Sequence, residues 1–160
     1  MSRRIGLLLA LFVCVAPAMA QTRVTTNEFV TKVAISDMME IQSSQLALDR
    51  QPDADTKPFA QRMITDHQQT SKELKALVEG GKVKAPLPTG LDAEHQKKLD
   101  ELKAKSGKEF DRAMQLQAHE EAVALFRDYA RNGDNPDVKA WAAKTPPHLR
   151  EHLEMAKKLS

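Results

Sequence analysis

Aromatic side chains are scarce in this chain: five Phe, one Tyr and one Trp make up 4% of 160 residues. Six glycines and eight prolines show no collagen-like or linker-like enrichment. With 41% hydrophobic residues the chain has enough apolar surface for a core, so the composition favours helix-rich globular packing over disorder. The length suits one domain. No run of alternating polar and apolar residues, repeat or low-complexity stretch occurs, which leaves an all-α reading.

Cysteine is nearly absent too. The one Cys14 lies within MSRRIGLLLALFVCVAPAMA, residues 1–20. That segment has a short basic start, an apolar stretch from Ile5 to Val15 and an Ala-Met-Ala end, the pattern of a secretory signal peptide cut before Gln21. The stretch is too short for a comfortable membrane span, and nothing downstream approaches the roughly 20 apolar residues that one requires. A lipid-anchored reading of Cys14 fits poorly, because Val13 stands where a small residue is expected. The expected exported chain, 21–160, thus carries neither disulfide nor thiolate ligand although it enters an oxidising compartment, periplasmic or extracellular.

An excess of one charge is also missing. Removing Arg3 and Arg4 from 24 Lys and Arg leaves 22, against 22 Asp and Glu. The balance argues against nucleic acid or an anionic membrane as a partner, since both require a basic surface. The sequence pI near 8.7 belongs partly to the leader.

Helical periodicity fills the remainder. Val30, Val33, Ala34, Ile41, Ala47 and Leu48 predict a helix over 26–50, with Thr25, Thr26 and Asn27 as cap candidates. Pro52, Asp53 and Asp55 break it. Pro58 suits the first turn of a second helix running to Glu79 before Gly80-Gly81. KVKAPLPTGL is a loop, and Asp92 starts a shorter helix through Leu99 and Leu102 to Gly107. Ser106 and Glu109 match a capping box for a third long helix through Phe110, Leu116, Val123 and Phe126 to Asn132-Gly133. Asn135-Pro136 opens the fourth, through Trp141 and Leu149 to Leu159, with Pro146-Pro147 kinking or splitting it. The connection between the second and third long helices far exceeds the roughly 2 to 8 residues of a helical hairpin. It therefore crosses the bundle, giving an up-down-down-up, ferritin-like order.

Each long helix carries a polar residue near its middle: Glu40, His67, His119 and His152, with Asp37 one turn before Glu40. The crossover order levels the four better than a simple up-down-up-down order does. Imidazoles and a carboxylate converging in a water-poor core would suit one divalent transition metal, zinc or copper favoured, with iron or manganese also compatible. Ser36, Ser43 and Ser44 could hydrogen-bond the buried Glu40. The plainer alternative is a set of hydrogen-bonded core histidines in a metal-free envelope or protein-interaction bundle. His95, on a stripe of its own in the connecting helix, belongs to no ligand set. Asp37, one turn before Glu40, and His148, four before His152, are additional candidate ligands, although helix-end solvation beside Pro147 explains His148 equally well. HLREH is not HExxH, however, and Leu149 stands where a hydrolytic base would. Met63 and Met155 read as core filler. Asp66 and Glu120, each next to a proposed ligand, read either as hydrogen-bond partners behind the ligands or as solvated edge residues, the edge being favoured.

FVTKVAISDMMEIQSSQLAL, FAQRMITDH, SGKEFDRAM, AHEEAVALF and HLREHLEMA together resemble the bacterial secreted family called domain of unknown function 4142. The resemblance spans about residues 26–159. It implies export and a ferritin-like four-helix bundle, and its polar core positions correspond here to Glu40, Asp66-His67, His119 and His152. The family supplies no established reaction. Its last helix reads closer to leucine-proline-threonine where this chain has Pro146-Pro147-His148. Ferritin-like di-iron proteins carry a Glu-x-x-His on each of two helices, whereas Ile64 and Leu149 stand three before His67 and His152. The bridging carboxylates are missing, so at most one metal is supported, for binding, buffering or sensing, and a redox enzyme is the remoter alternative.

Overall fold

A computed structural model describes residues 23–50, 54–107, 109–110 and 118–158, with 118–120 described by backbone alone. The expected leader, Cys14, the break at Pro52-Asp53, Leu116 and Leu159 lie outside these residues. The elements are α1 (Thr26–Asp49), α2 (Thr56–Glu79), α3 (Ala93–Ala104), α4 (Ala118–Asn132), α5 (Pro136–Lys144) and α6 (Pro146–Ala156). No strand occurs among the described residues. The protein is an all-α bundle, as the periodicity predicts.

Local chemistry sets the boundaries. Thr25 caps α1 through a complete capping box with Glu28, satisfying donors that the first turn leaves open. Asp92 caps α3 by accepting from the His95 backbone N–H at 2.9 Å. Asn135 does the same for α5, with Pro136 in the first turn, where its missing N–H costs nothing. Pro146 divides the fourth long element: it has no N–H to continue the ladder, so α5 stops and α6 begins within two residues. Helical backbone resumes at 107, 109 and 110, close to the expected capping box, and 111–117 lie outside the described residues.

Contacts between element ends establish the topology. Arg50, after α1, donates to the carbonyls of Lys103 in the last turn of α3 and of Lys105 just beyond it, each at 2.5 Å. Thr26, at the start of α1, meets Tyr129 and Asp134 at the end of α4. Asn135 Nδ2 donates to the carbonyl of Lys82, just beyond α2. Thus α1 rises, α2 descends, α3 carries the chain back up, α4 descends and α5 with α6 rises. This is the up-down-down-up order with one long crossover.

Apolar residues gather at both ends of the bundle. The lower cluster joins Phe29, Val30 and Val33 to Leu74, Phe126, Tyr129, Val138 and Leu149. Phe29 stacks on Tyr129 with centroids 4.0 Å apart and meets Phe126 edge-on at 5.1 Å, so the few aromatics are concentrated where each pair adds about 1 kcal/mol beyond area burial. The upper end holds Ala47, Ala60, Leu102 and Phe110, and beside them Phe59, Met63 and Ala156. Between these ends runs a buried polar layer.

Candidate metal centre

The polar layer follows from where apolar residues stop on each helix. On α1 the buried stripe passes from Val33 and Ala34 to Asp37, Glu40, Ser43 and Ser44 before returning to Ala47. On α2 it passes from Met63 to His67 to Leu74, and on α6 from Leu149 to His152 to Ala156. Asp37, Glu40, His67 and His152 each retain no more than 4% of their surface. Burial at that level is tolerated only with partners.

Each imidazole has a carboxylate from another helix. His67 Nδ1 lies 2.8 Å from Asp37 Oδ1, and Ser71 Oγ donates to Asp37 Oδ2 at 3.0 Å. His152 Nε2 lies 2.8 Å from Asp66 Oδ2, which also receives Arg62 Nε–H at 2.5 Å. The rings of His67 and His152 stand with centroids 5.5 Å apart and planes 41° from parallel. Glu40 shares the α1 stripe with Asp37, and its charge acts on His67. A cleft between α1, α3 and α4 reaches Asp37, Glu40 and His67.

The electrostatics follow from this burial. Desolvation pushes the Glu40 carboxyl up to about 7, with the His67 charge opposing and the Asp37 charge reinforcing the shift. Burial also raises Asp37, against its bonds to His67 and Ser71. For His67, burial works downward, but the Asp37 hydrogen bond and the charges of Glu40, Asp37 and Asp66 together hold the imidazole above its ordinary value. Burial lowers His152, against the hydrogen bond and charge of Asp66. Asp66 feels a raising desolvation, which the hydrogen bonds from His152 and Arg62 and the Arg62 charge outweigh, so its carboxyl lies below the usual range.

Of the residues singled out in the sequence, Glu40, His67 and His152 enter the layer together with Asp37. His119 is carried by the second helical position of α4, and its side chain, like that of Glu120, lies outside the described residues. The His148 side chain is 61% exposed and lies 4.0 Å from Glu151. Of the two roles open to Asp66 in the sequence, the structure supports the partner and not the favoured solvated edge: it bonds His152 across 86 positions. Nothing local announces that contact, because adjacent helical residues diverge by about 100° and His67 already occupies the inner face. The serines also behave differently from expectation. Ser43 Oγ donates to the backbone carbonyl of Glu40 at 3.1 Å instead of its carboxylate, the usual back-bonding of a helical serine. Ser44 Oγ is buried with no hydrogen-bond partner among the described residues. His95 is explained by its Asp92 cap, 2.7 Å from Nδ1. Met63 packs with Phe59 and Ala156, as filler.

Two imidazoles, each anchored by a carboxylate through one nitrogen, and a buried carboxyl on the neighbouring helix fit a borderline divalent ion in donor type. Among the described residues no group of three or more His, Cys, Asp or Glu side chains is already gathered closely enough to hold one.

Comparison with known proteins gives the same architecture. The solved structure described as "CopM in the Cu(II)-bound form" superimposes with a TM-score of 0.68 at 21% identity, covering 86% of this chain and 96% of that one. No curated protein matches the chain. No helix among the described residues is long and apolar enough to cross a membrane. The profile of the family described as "Domain of unknown function (DUF4142)" matches residues 14–159, nearly the whole sequence, and the chain belongs to that family.

Proposed function

We propose that this protein is an exported, periplasmic or secreted, ferritin-like bundle that holds one divalent transition metal in its core through Glu40, His67, His119 and His152. The observation that carries the reading is the pairing of His67 with Asp37 and of His152 with Asp66 on facing helices, with the two rings 5.5 Å apart. Carboxylate-anchored imidazoles are the usual outer arrangement of histidine metal sites. Glu40 supports the reading independently, because a carboxyl buried this deeply needs a proton or a cation beside it.

Copper is the metal of choice. A mixed imidazole and carboxylate set binds copper(II) more tightly than the other first-row divalent ions, zinc next among those considered, and the similar bundle CopM is described in a Cu(II)-bound form. When bound, the metal supplies a cationic centre for the imidazole nitrogens and for Glu40. The chain's own residues supply orientation, exclusion of water and, through the cleft to Glu40 and His67, a route from solvent. Binding, buffering or sensing is favoured over turnover, since Ile64 and Leu149 stand where the second carboxylates of a di-metal enzyme would be.

Metal analysis of the protein purified from its native compartment, followed by calorimetric titration of the metal-free protein with copper(II) and zinc, tests the reading. One equivalent and a raised melting temperature are expected. No metal above buffer background, together with an unchanged melting temperature on adding either ion, would leave the metal-free bundle as the function.

A further inference from the structure

Two imidazoles in one buried layer need not present the same nitrogen, and here the carboxylates face opposite ones. Asp37, on α1, meets Nδ1 of His67 on α2, and its other oxygen accepts from Ser71. Asp66, on α2, meets Nε2 of His152 on α6 with the same oxygen that accepts Arg62 Nε–H. A carboxylate is an acceptor only, so the ring nitrogen facing it carries the hydrogen. His67 is then the Nδ1–H form and His152 the Nε2–H form. The opposite nitrogens, His67 Nε2 and His152 Nδ1, are both buried.

We propose that Asp37 and Asp66 are positioning residues that lock the two rings in opposite tautomers, so that His67 offers Nε2 and His152 offers Nδ1 to one shared cation. The shared cation rests on the metal-binding reading above, whereas the locking stands without it. The two contacts also link three helices in sequence, α1 to α2 and α2 to α6. Asp37 has the harder task, because free histidine favours the Nε2–H form that His152 adopts and His67 does not.

Long-range 15N–1H correlation spectra of the full metal-free protein, recorded at alkaline pH where both imidazoles are neutral, read the tautomers directly. A protonated Nδ1 with bare Nε2 is expected for His67, and the reverse for His152. Asp37→Ala should return His67 to the Nε2–H form while leaving His152 unchanged, a shift that lost packing alone would not produce. Asp37→Asn and Asp66→Asn should each weaken copper(II) binding about 10- to 100-fold in calorimetry. The same tautomer on both rings of the wild type overturns the proposal, and that spectrum decides the matter even if Asp37→Ala does not fold. Opposite tautomers in a protein that takes up neither copper nor zinc would uphold the locking and overturn the metal reading.

Discussion

His67 on α2 and His152 on α6 bring their imidazole rings to a centroid distance of 5.5 Å, the planes tilted by 41°. Each ring is tied through one nitrogen to an aspartate on a different helix. The two imidazoles are therefore oriented before any ligand arrives, and preorganisation of this kind reduces the ordering that binding requires. His95 and His148 provide contrasts within the same chain: the ring of one bonds the capping residue Asp92 at the start of α3, and the other is largely solvated.

That contrast yields a histidine ranking. His67→Ala, His119→Ala and His152→Ala should each reduce copper(II) affinity by more than about 100-fold, exceeding the loss given by outer partners alone. His95→Ala and His148→Ala should leave it unchanged. Titration calorimetry on the five variants checks the order, and equal losses across all five would show that the ligand set is wrong.

Glu40 gives the metal-free protein a defined pH response. Its ordinary value is 4.5 and burial lifts it to about 7, so between these the folded state holds a proton that the unfolded state has released. The contribution of this group to stability consequently falls as pH rises through that window and levels off above it. A gap of that size amounts to about 3 kcal/mol. Glu40→Gln keeps the shape and removes the ionisation, so it should raise the melting temperature of the metal-free protein at pH 8 and leave it nearly unchanged at pH 4. Urea unfolding across that range measures the difference. A variant no more stable than wild type at pH 8 would contradict the buried-carboxyl account.

Much of this arrangement was legible in the sequence because it rests on local rules. Thr25 with Glu28, Asn135 with Pro136, and Pro146 mark element boundaries through backbone donors that each residue either satisfies or lacks. The long connection forced a crossover, and the contact of Arg50 with Lys103 and Lys105 bears it out. Glu40, His67 and His152 were visible as polar interruptions of apolar stripes. Which carboxylate meets which imidazole was not. Asp66 occupies a position that periodicity assigns to the helix edge, and only the placement of α6 turns it into a partner for His152. Asp37 looked like one more ligand on the Glu40 stripe, but its two oxygens are engaged by His67 and Ser71, 30 and 34 positions away. Pairings between helices depend on rotation about each axis, to which a spacing pattern is nearly blind.

The lower end of the bundle is held without the polar layer. Tyr129 Oη lies 2.6 Å from Thr26 Oγ1 and donates to Asp134 at 3.1 Å, joining the start of α1 to the end of α4. Tyr129→Phe preserves the stack on Phe29 and removes only the hydroxyl, so a loss of about 1 kcal/mol is expected by urea unfolding. Copper binding should be unaffected. A change in affinity comparable with that of His67→Ala would mean that the two ends of the bundle are coupled.

Gly133 supplies a sterically sharper test of the same end. A Cβ there would lie 2.5 Å from Tyr129 Cε1 and 2.7 Å from the Tyr129 carbonyl oxygen. The ring cannot simply swing aside, because it is stacked on Phe29 and is 1% exposed, and the carbonyl already accepts the Gly133 N–H at 2.8 Å. Alanine would ordinarily stabilise by restricting the unfolded chain, by somewhat under about 1 kcal/mol. Overpacking costs about 1–3 kcal/mol and should win. Gly133→Ala is therefore expected to lower the melting temperature, and a second substitution, Tyr129→Leu, which removes the clashing ring edge, should make the Gly133→Ala step milder. Thermal unfolding of the double-mutant cycle reads that coupling; strictly additive losses would show that the close approach to the ring is not what fixes glycine at this position.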